Sequence, residues 1–260
     1  MDLGIAGKRA FICASSQGLG LACATALAAE GVHVALNGRN EEKLAAASAT
    51  LRQRFPGVTV TTIAADLTTG QGRAEIVARY PQVDILVTNN AGPKPGALND
   101  WTEEALLLAM EANFIPAVQL IRCWLPGMQQ RRFGRIINIT SAMVKSPHYM
   151  MGLSTSARTA LTAICKAISR EVVADNVTIN NLLPERIDTP RQAFMLQRLM
   201  SLEGITLQEA RQRSEQSIAA GRFGRPDEFA AACAFLCSEQ AAYISGQNLQ
   251  LDGGTYEGLL

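Results

Sequence analysis

The strongest constraint on how this chain folds lies in residues 8–31. An apolar run, Ala10-Phe11-Ile12-Cys13, passes through Ala14-Ser15-Ser16-Gln17 into Gly18-Leu19-Gly20, then into apolar residues at helical spacing: Leu21, Ala24, Leu27 and Ala28. A buried strand, a tight turn and a helix opening on glycine form a layout in which backbone N–H groups face an anion such as a pyrophosphate. Glycine suits that position because a side chain would hold the ligand off the backbone. Taken alone, the same pattern also occurs in turns that bind nothing.

The rest of the chain repeats this scheme. Strand-like runs at 9–13, 33–37, 58–64, 85–88, 135–139, 177–183 and 248–251 alternate with segments of helix length such as 41–55 and 102–130. Such alternation specifies βαβ units, right-handed crossovers and a sheet covered by helices on both faces. The expected fold is α/β: a Rossmann-type, doubly wound, mostly parallel seven-stranded sheet. No repeat, low-complexity tract or flexible linker divides residues 1–260, so one domain is expected. A polar helical insertion at 192–221 departs from the sheet pattern and is the candidate lid over a site at the carboxyl ends of the strands. Its apolar residues Phe194, Met195, Leu199 and Met200 either line a pocket or pack the lid down.

Composition narrows the function. At 260 residues and 48% apolar, the chain can bury a large core. A net charge of +1 leaves no electrostatic footprint for nucleic acid or an anionic membrane, and neither is expected as a partner. Six cysteines without a Cys-x-x-Cys pair read as reduced core residues of a cytoplasmic protein. With only His33 and His148, no histidine metal site is expected. No signal peptide or spanning segment is read.

The run 13–20 resembles the Thr-Gly-x-x-x-Gly-x-Gly turn of the short-chain dehydrogenases/reductases. Ala65-Asp66-Leu67, Asn89-Asn90-Ala91-Gly92, the stretch 134–141 ending Thr140-Ser141, and Val177-Thr178-Ile179-Asn180 are similar to further motifs of that family. So are 221–226 and 245–254, and the resemblance covers essentially the whole chain, nearest to the 3-oxoacyl-carrier-protein reductase-like branch. It implies hydride transfer between a nicotinamide dinucleotide and a small carbonyl or alcohol substrate. It also implies a homotetramer or homodimer built on the apolar helices 102–130 and 154–174.

The resemblance places the dinucleotide phosphates at Ser15, Ser16, Gln17, Gly18, Leu19 and Gly20. NAD-specific members usually carry a carboxylate at the end of the second strand, where this chain reads Leu36-Asn37-Gly38-Arg39. A carboxylate repels a 2′-phosphate, whereas an arginine just past the strand grips one through a charge-assisted fork. With Asn37 in place of the acid and Arg39 beyond it, NADP(H) is the expected cofactor, with NAD(H) left open. Against this, Gln17 stands where many NADP-binding relatives have a second basic residue. Arg39 also reads as a solvated loop residue. Asp66, beside Leu67, is placed to accept from the adenine amino group, or to cap the turn before Thr68 and Thr69. Asn89, Asn90 and Ala91 are implied to line the cofactor, although Thr88 competes for the first of these places. Pro184, Ile187 and Thr189 match positions at the nicotinamide carboxamide.

The family's catalytic tetrad is an asparagine, a serine, and a tyrosine and lysine one helical turn apart. Asn113 and Ser141 fit the first two, as a water-holding amide and a donor to the substrate oxygen; a buried structural amide and a helix-end cap are the plainer readings. Where the tyrosine and lysine are expected the chain carries Ser154 and Arg158, and no tyrosine is followed by lysine four residues later. A phenol can be drawn toward neutral pKa by an adjacent cation, but an alkanol cannot. Arg158 supplies the fixed positive charge and reaches ribose hydroxyls, yet stays ionised and passes on no proton. Three readings follow: a reductase taking its proton from water or Tyr149; a dinucleotide-binding protein without redox activity; or a non-redox enzyme in which Arg158 clamps an anionic group. Two further departures are Ala14 at a glycine position, where a methyl is expected to be harmless, and Glu185 at another, where a carboxylate either approaches the site or lies in an exposed loop.

Overall fold

The computed structural model describes residues 2–259. Its seven strands are β1 (Arg9–Ile12), β2 (His33–Gly38), β3 (Val60–Ala64), β4 (Ile85–Thr88), β5 (Gly134–Ile139), β6 (Val177–Pro184) and β7 (Asn248–Leu251). They form one sheet in the order β3-β2-β1-β4-β5-β6-β7, with every pair parallel. Each strand begins and ends within two residues of the run read from sequence. The reason is physical: parallel strands buried on both faces read as nearly unbroken apolar runs, and β4 and β5 are buried throughout.

Helices α1 (Gly18–Ala29), α2 (Glu41–Arg54) and α9 (Pro226–Cys237) cover one face. Leu27, Leu44, Leu51 and Phe229 pack there onto Ile12, Leu36, Ile85 and Ile137. On the other face lie α3 (Gly70–Arg79), α5 (Ile115–Gln130) and α6 (Gly152–Val172), through Ile76, Leu120, Trp124 and Leu161 on Phe11, Leu86 and Ile136. Successive connections leave the sheet in opposite directions at β1 and β4. A crevice therefore opens at their carboxyl ends, the position where open α/β sheets bind ligands.

Beneath that crevice runs a chain of buried polar side chains across four strands. Thr88 Oγ1 donates to Asn138 Oδ1 (2.7 Å), Asn138 Nδ2 to Asn181 Oδ1 (2.9 Å), and Asn181 Nδ2 to Asn248 Oδ1 (2.7 Å). A one-residue slip of any strand would break this relay, so it pins the register under the site.

The single helix read over 102–130 is two: α4 (Glu103–Asn113) and α5, broken at Phe114 (φ −121°, ψ −62°). Pro116 is the cause, since it has no N–H to give the carbonyl of Ala112 and its ring crowds that oxygen. The freed Ala112 carbonyl accepts from Asn90 Nδ2 at 2.9 Å instead. The same 103–130 stretch has a mean hydropathy of 1.4 over its most apolar 18 residues, long and apolar enough to cross a membrane, contrary to the expectation that no stretch qualifies. In this fold it packs against the sheet through Ala117, Leu120, Ile121, Trp124 and Met128.

The insertion after β6 forms α7 (Pro190–Glu203) and α8 (Leu207–Gln216), with a small core of its own from Leu196, Ala210, Ile218 and Phe223. Leu199 and Met200 pack into that core, whereas Phe194 is exposed. Five of the six cysteines are buried, Cys123 is exposed, and all are free thiols. Among the described residues no group of metal-ligating side chains forms.

Candidate active site

The turn after β1 is braced from below by side chains that face away from the crevice. Asn37 is buried; its Oδ1 accepts from Ala14 N (3.3 Å), and its Nδ2 donates to the carbonyls of Ile63 (3.2 Å) and Ala65 (3.1 Å). Asn37, read from sequence as a cofactor-site residue in the place of an acid, thus uses its side chain to brace the turn from beneath. Ser15 Oγ likewise donates to Ile12 O (2.7 Å) and accepts from Asn37 N (3.0 Å). Asn89, the first residue after β4, donates to Ala14 O (3.3 Å), so no shift toward Thr88 is needed; Thr88 belongs to the polar relay. Ala14 sits at φ +45°, a left-handed conformation that costs any residue with a Cβ, so its methyl is a source of strain and not harmless.

Above this brace the N-terminus of α1 is bare. The side chains of Asn40, Thr69 and Thr102 cap α2, α3 and α4, but Gln17 makes no cap bond to α1. The first-turn N–H groups that follow Gln17 keep their capacity for an anion. A side chain at Gly20 is excluded, because a Cβ there would stand 2.5 Å from Ala14 O. Gly18 (φ +60°) faces Pro190 and Thr189 across the gap, and Thr189 caps α7, so α7 begins directly over this turn. Leu19 packs on the core beneath, and Ser16 Oγ lies against Gly38.

At the crevice's outer end, Arg39 Nη1 lies 3.8 Å from Asp66 Oδ2, with the Arg39 side chain 74% exposed. Asp66 Oδ1 accepts from Thr68 N (2.9 Å) and Thr68 Oγ1 (2.8 Å), and these bonds, led by the backbone one, hold its carboxyl below the usual range. Asp66 therefore builds the turn with one oxygen and meets Arg39 with the other; Thr69 caps the helix. Leu67 is buried in the core. Gln17 Oε1 accepts from Lys43 Nζ at 3.5 Å, which brings a cation from α2 to the turn.

The inner end is organised by Arg158. Its Nε donates to Ser154 Oγ (3.2 Å), Nη1 to the carbonyls of Ile139 (2.8 Å) and Thr140 (3.1 Å), and Nη2 to Asn90 O (3.2 Å). Burial, with the like charge of Arg191 adding to it, lowers its pKa to about 10, so it stays a cation at neutral pH. Ser154 Oγ also faces Gly92, where a Cβ would stand 3.4 Å away. Asn113 Nδ2 donates to Ala91 O (3.2 Å) while its buried Oδ1 has no partner among the described residues. A cavity of about 20 Å³ lies between Asn113, Asn90 and Arg158, room for one water that would satisfy that oxygen.

Ser141 follows β5 and accepts from Met143 N (3.2 Å), leaving its own O–H free to donate. Tyr149 does not approach this group: its Oη accepts from Leu98 N (3.2 Å) and its ring lies 5.9 Å from that of Trp101. Pro184 pairs with Leu251 in the sheet, and Ile187 is buried against Gly224. Glu185 is mostly buried beside Arg186 (3.3 Å), and burial pushes its carboxyl above the usual range. Sequence reading missed Arg191 in the first turn of α7, whose Nη2 donates to Pro93 O at 3.1 Å. The only signal was its place immediately after Thr189-Pro190.

A doubly wound parallel sheet, a bare glycine-rich helix start at its switch point and a buried cation beneath the crevice define the dinucleotide-binding class of α/β proteins. Residues 13–256 match the family model described as enoyl-(acyl carrier protein) reductase. The chain is 31% identical to dehydrogenase/reductase SDR family member 4 of Oryctolagus cuniculus, covering 96% of this chain and 94% of the relative. It is similar to the crystal structure of L-sorbose reductase from Gluconobacter frateurii complexed with NADPH and L-sorbose (TM-score 0.93, 32% identity, all of both chains). A further likeness is to a 3-oxoacyl-(acyl-carrier-protein) reductase from Agrobacterium tumefaciens C58 with NADP bound (TM-score 0.87, 28% identity, 97% and 96% covered). The chain belongs to the short-chain dehydrogenase/reductase family.

Proposed function

We propose that the protein is an NADP(H)-dependent short-chain reductase that interconverts a small carbonyl compound and its alcohol, with a 3-oxoacyl reductase-like architecture. The observation that carries this reading is the bare N-terminus of α1 over its Asn37–Ser15 brace, in a chain whose relatives hold NADP(H). The residues fit the cofactor. Amides at Gly18, Leu19 and Gly20 face a pyrophosphate, and Arg39 is free to turn from Asp66 to a 2′-phosphate. When bound, the nicotinamide supplies or accepts the hydride.

The chain's own residues then do the rest. Ser141 donates its O–H to the carbonyl oxygen, and Arg158 stabilises the negative charge that develops there. Ser154, which accepts from Arg158 Nε, orients its hydroxyl toward the same oxygen but is too weak an acid to protonate it, so the proton comes from water. In this reading Ser154 and Arg158 occupy the family's tyrosine and lysine places. A second reading, dinucleotide binding without turnover, draws support from the engagement of Arg158 with three backbone carbonyls.

The leucines of α4, with Leu107 57% and Leu108 56% exposed, support assembly as a homodimer or homotetramer through α4 and α5. A cytoplasmic location, one domain over 1–260 and a lid function for 192–221 complete the proposal. A turnover screen of ketones, aldehydes and acyl thioesters with NADPH tests it. Oxidation of NADPH by any of them, raised by Ser154→Tyr with Arg158→Lys, supports the reductase; binding without oxidation, unchanged by the double variant, favours the second reading.

A further inference from the structure

Buried charges in folded proteins are normally paired with opposite charge, and Arg158 is not. All its partners are neutral: Ser154 Oγ and the carbonyls of Ile139, Thr140 and Asn90. Arg191 enters from the lid and takes only the carbonyl of Pro93, with its guanidinium stacked over Phe194. The two arginines therefore hold the same short loop, Asn90 to Pro93. Between their anchor points lies Gly92, where even a Cβ would be 3.7 Å from Arg158 Nη2.

The acids along the crevice and in the segment after β6 are already taken by other arginines. Asp66 meets Arg39, Glu185 meets Arg186 (3.3 Å) and Asp188 meets Arg211 (3.0 Å). Among the described residues neither Arg158 nor Arg191 makes an ion pair. Two cations on one loop, one buried in α6 and one on α7, repel each other, and an anion between them would relieve that repulsion. Arg158 has one N–H left to offer. Arg191 makes a single bond to a neutral oxygen, which a carboxylate would displace by offering an opposite charge and bidentate geometry.

We propose that Arg158 and Arg191 together receive a carboxylate, so that the substrate is an oxo acid and the product the corresponding hydroxy acid. The inference rests on the reductase reading and names its substrate class. The carboxylate is a spectator: the carbonyl carbon gains the hydride, its oxygen gains a proton from water, and the acid carries the same charge throughout. The same two guanidinium groups would also suit an oxyanion of the dinucleotide's diphosphate, so the test must separate the two sources.

The experiment loads wild-type protein and Arg191→Gln with NADP+ and titrates each with 2- and 3-oxo acids of four to ten carbons and their methyl esters, reading binding by thermal shift. The expected result is that at least one acid binds wild type tenfold or more better than its ester. That preference falls about tenfold or more in Arg191→Gln, the scale set by losing one charged hydrogen bond, while the Kd for NADP+ stays within about twofold. Arg191→Lys is expected to restore part of the preference. Three outcomes overturn the inference: esters bind as well as acids, no acid binds, or Arg191→Gln weakens NADP+ instead and leaves the acid-to-ester ratio alone. Failure of wild-type protein to bind NADP+ at all would instead remove the reductase reading itself.

Discussion

The outer and inner ends of the crevice handle polar side chains in opposite ways. At the outer end Asn37, Ser15 and Asn89 are turned down into the protein and bonded to backbone, and this leaves the amides of α1 bare above them. At the inner end the largest donor, Arg158, is itself in the crevice wall and bonded to backbone carbonyls, with its charge uncompensated. The outer end thus offers a preformed cradle of backbone N–H groups for an anion. The inner end offers a fixed positive charge with little capacity for proton transfer.

The contrast breaks most visibly at Arg158. Arg158→Ala leaves three carbonyls and a serine without their donor and should cost about 3–5 kcal/mol, read as a fall in Tm of roughly 10 °C. A change of less than a couple of degrees would mean that the guanidinium does not hold the inner wall together. Gly20→Ala strikes the other end. A methyl 2.5 Å from Ala14 O forces the turn to shift, at about 1–3 kcal/mol, and should weaken NADPH binding at least about tenfold by calorimetry.

A gain is expected at Ala14. Its left-handed backbone favours glycine, so Ala14→Gly should stabilise the fold by up to about 1 kcal/mol in denaturant unfolding, net of the extra freedom of the unfolded chain. The smallest effect concerns pH. Because burial raises the Glu185 pKa in the folded state, the protonated form is favoured on folding. The stability it contributes is present at low pH and lost as pH rises through the raised value. Glu185→Gln should therefore unfold at a higher temperature than wild type near neutral pH. The difference should close on acidification, even though the variant also loses the ion pair with Arg186.

The sheet was legible in advance because strands buried on both faces leave continuous apolar runs and glycine marks their turns. The helix break at Phe114 was signalled by Pro116 but masked by the apolar run on either side of it. Asn37 could not be told from a ligand contact, since a brace and a ribose contact ask for the same amide and differ only in which way the turn holds it. Asp66 read as two roles and fills one of them, its Thr68 turn, while its other oxygen meets Arg39. Arg191 stayed hidden because its relation to Arg158 passes through a loop about a hundred residues earlier in sequence, at Pro93.

One titration bears on all of this: NADPH and NADH, each added to the purified protein in a calorimeter, with Arg39→Gln alongside. The bare start of α1 with Arg39 at its edge predicts saturable binding of both, NADPH tighter by about tenfold or more, and that margin removed in Arg39→Gln. Heat-silent titrations with both nucleotides at millimolar concentration would contradict the account at its root.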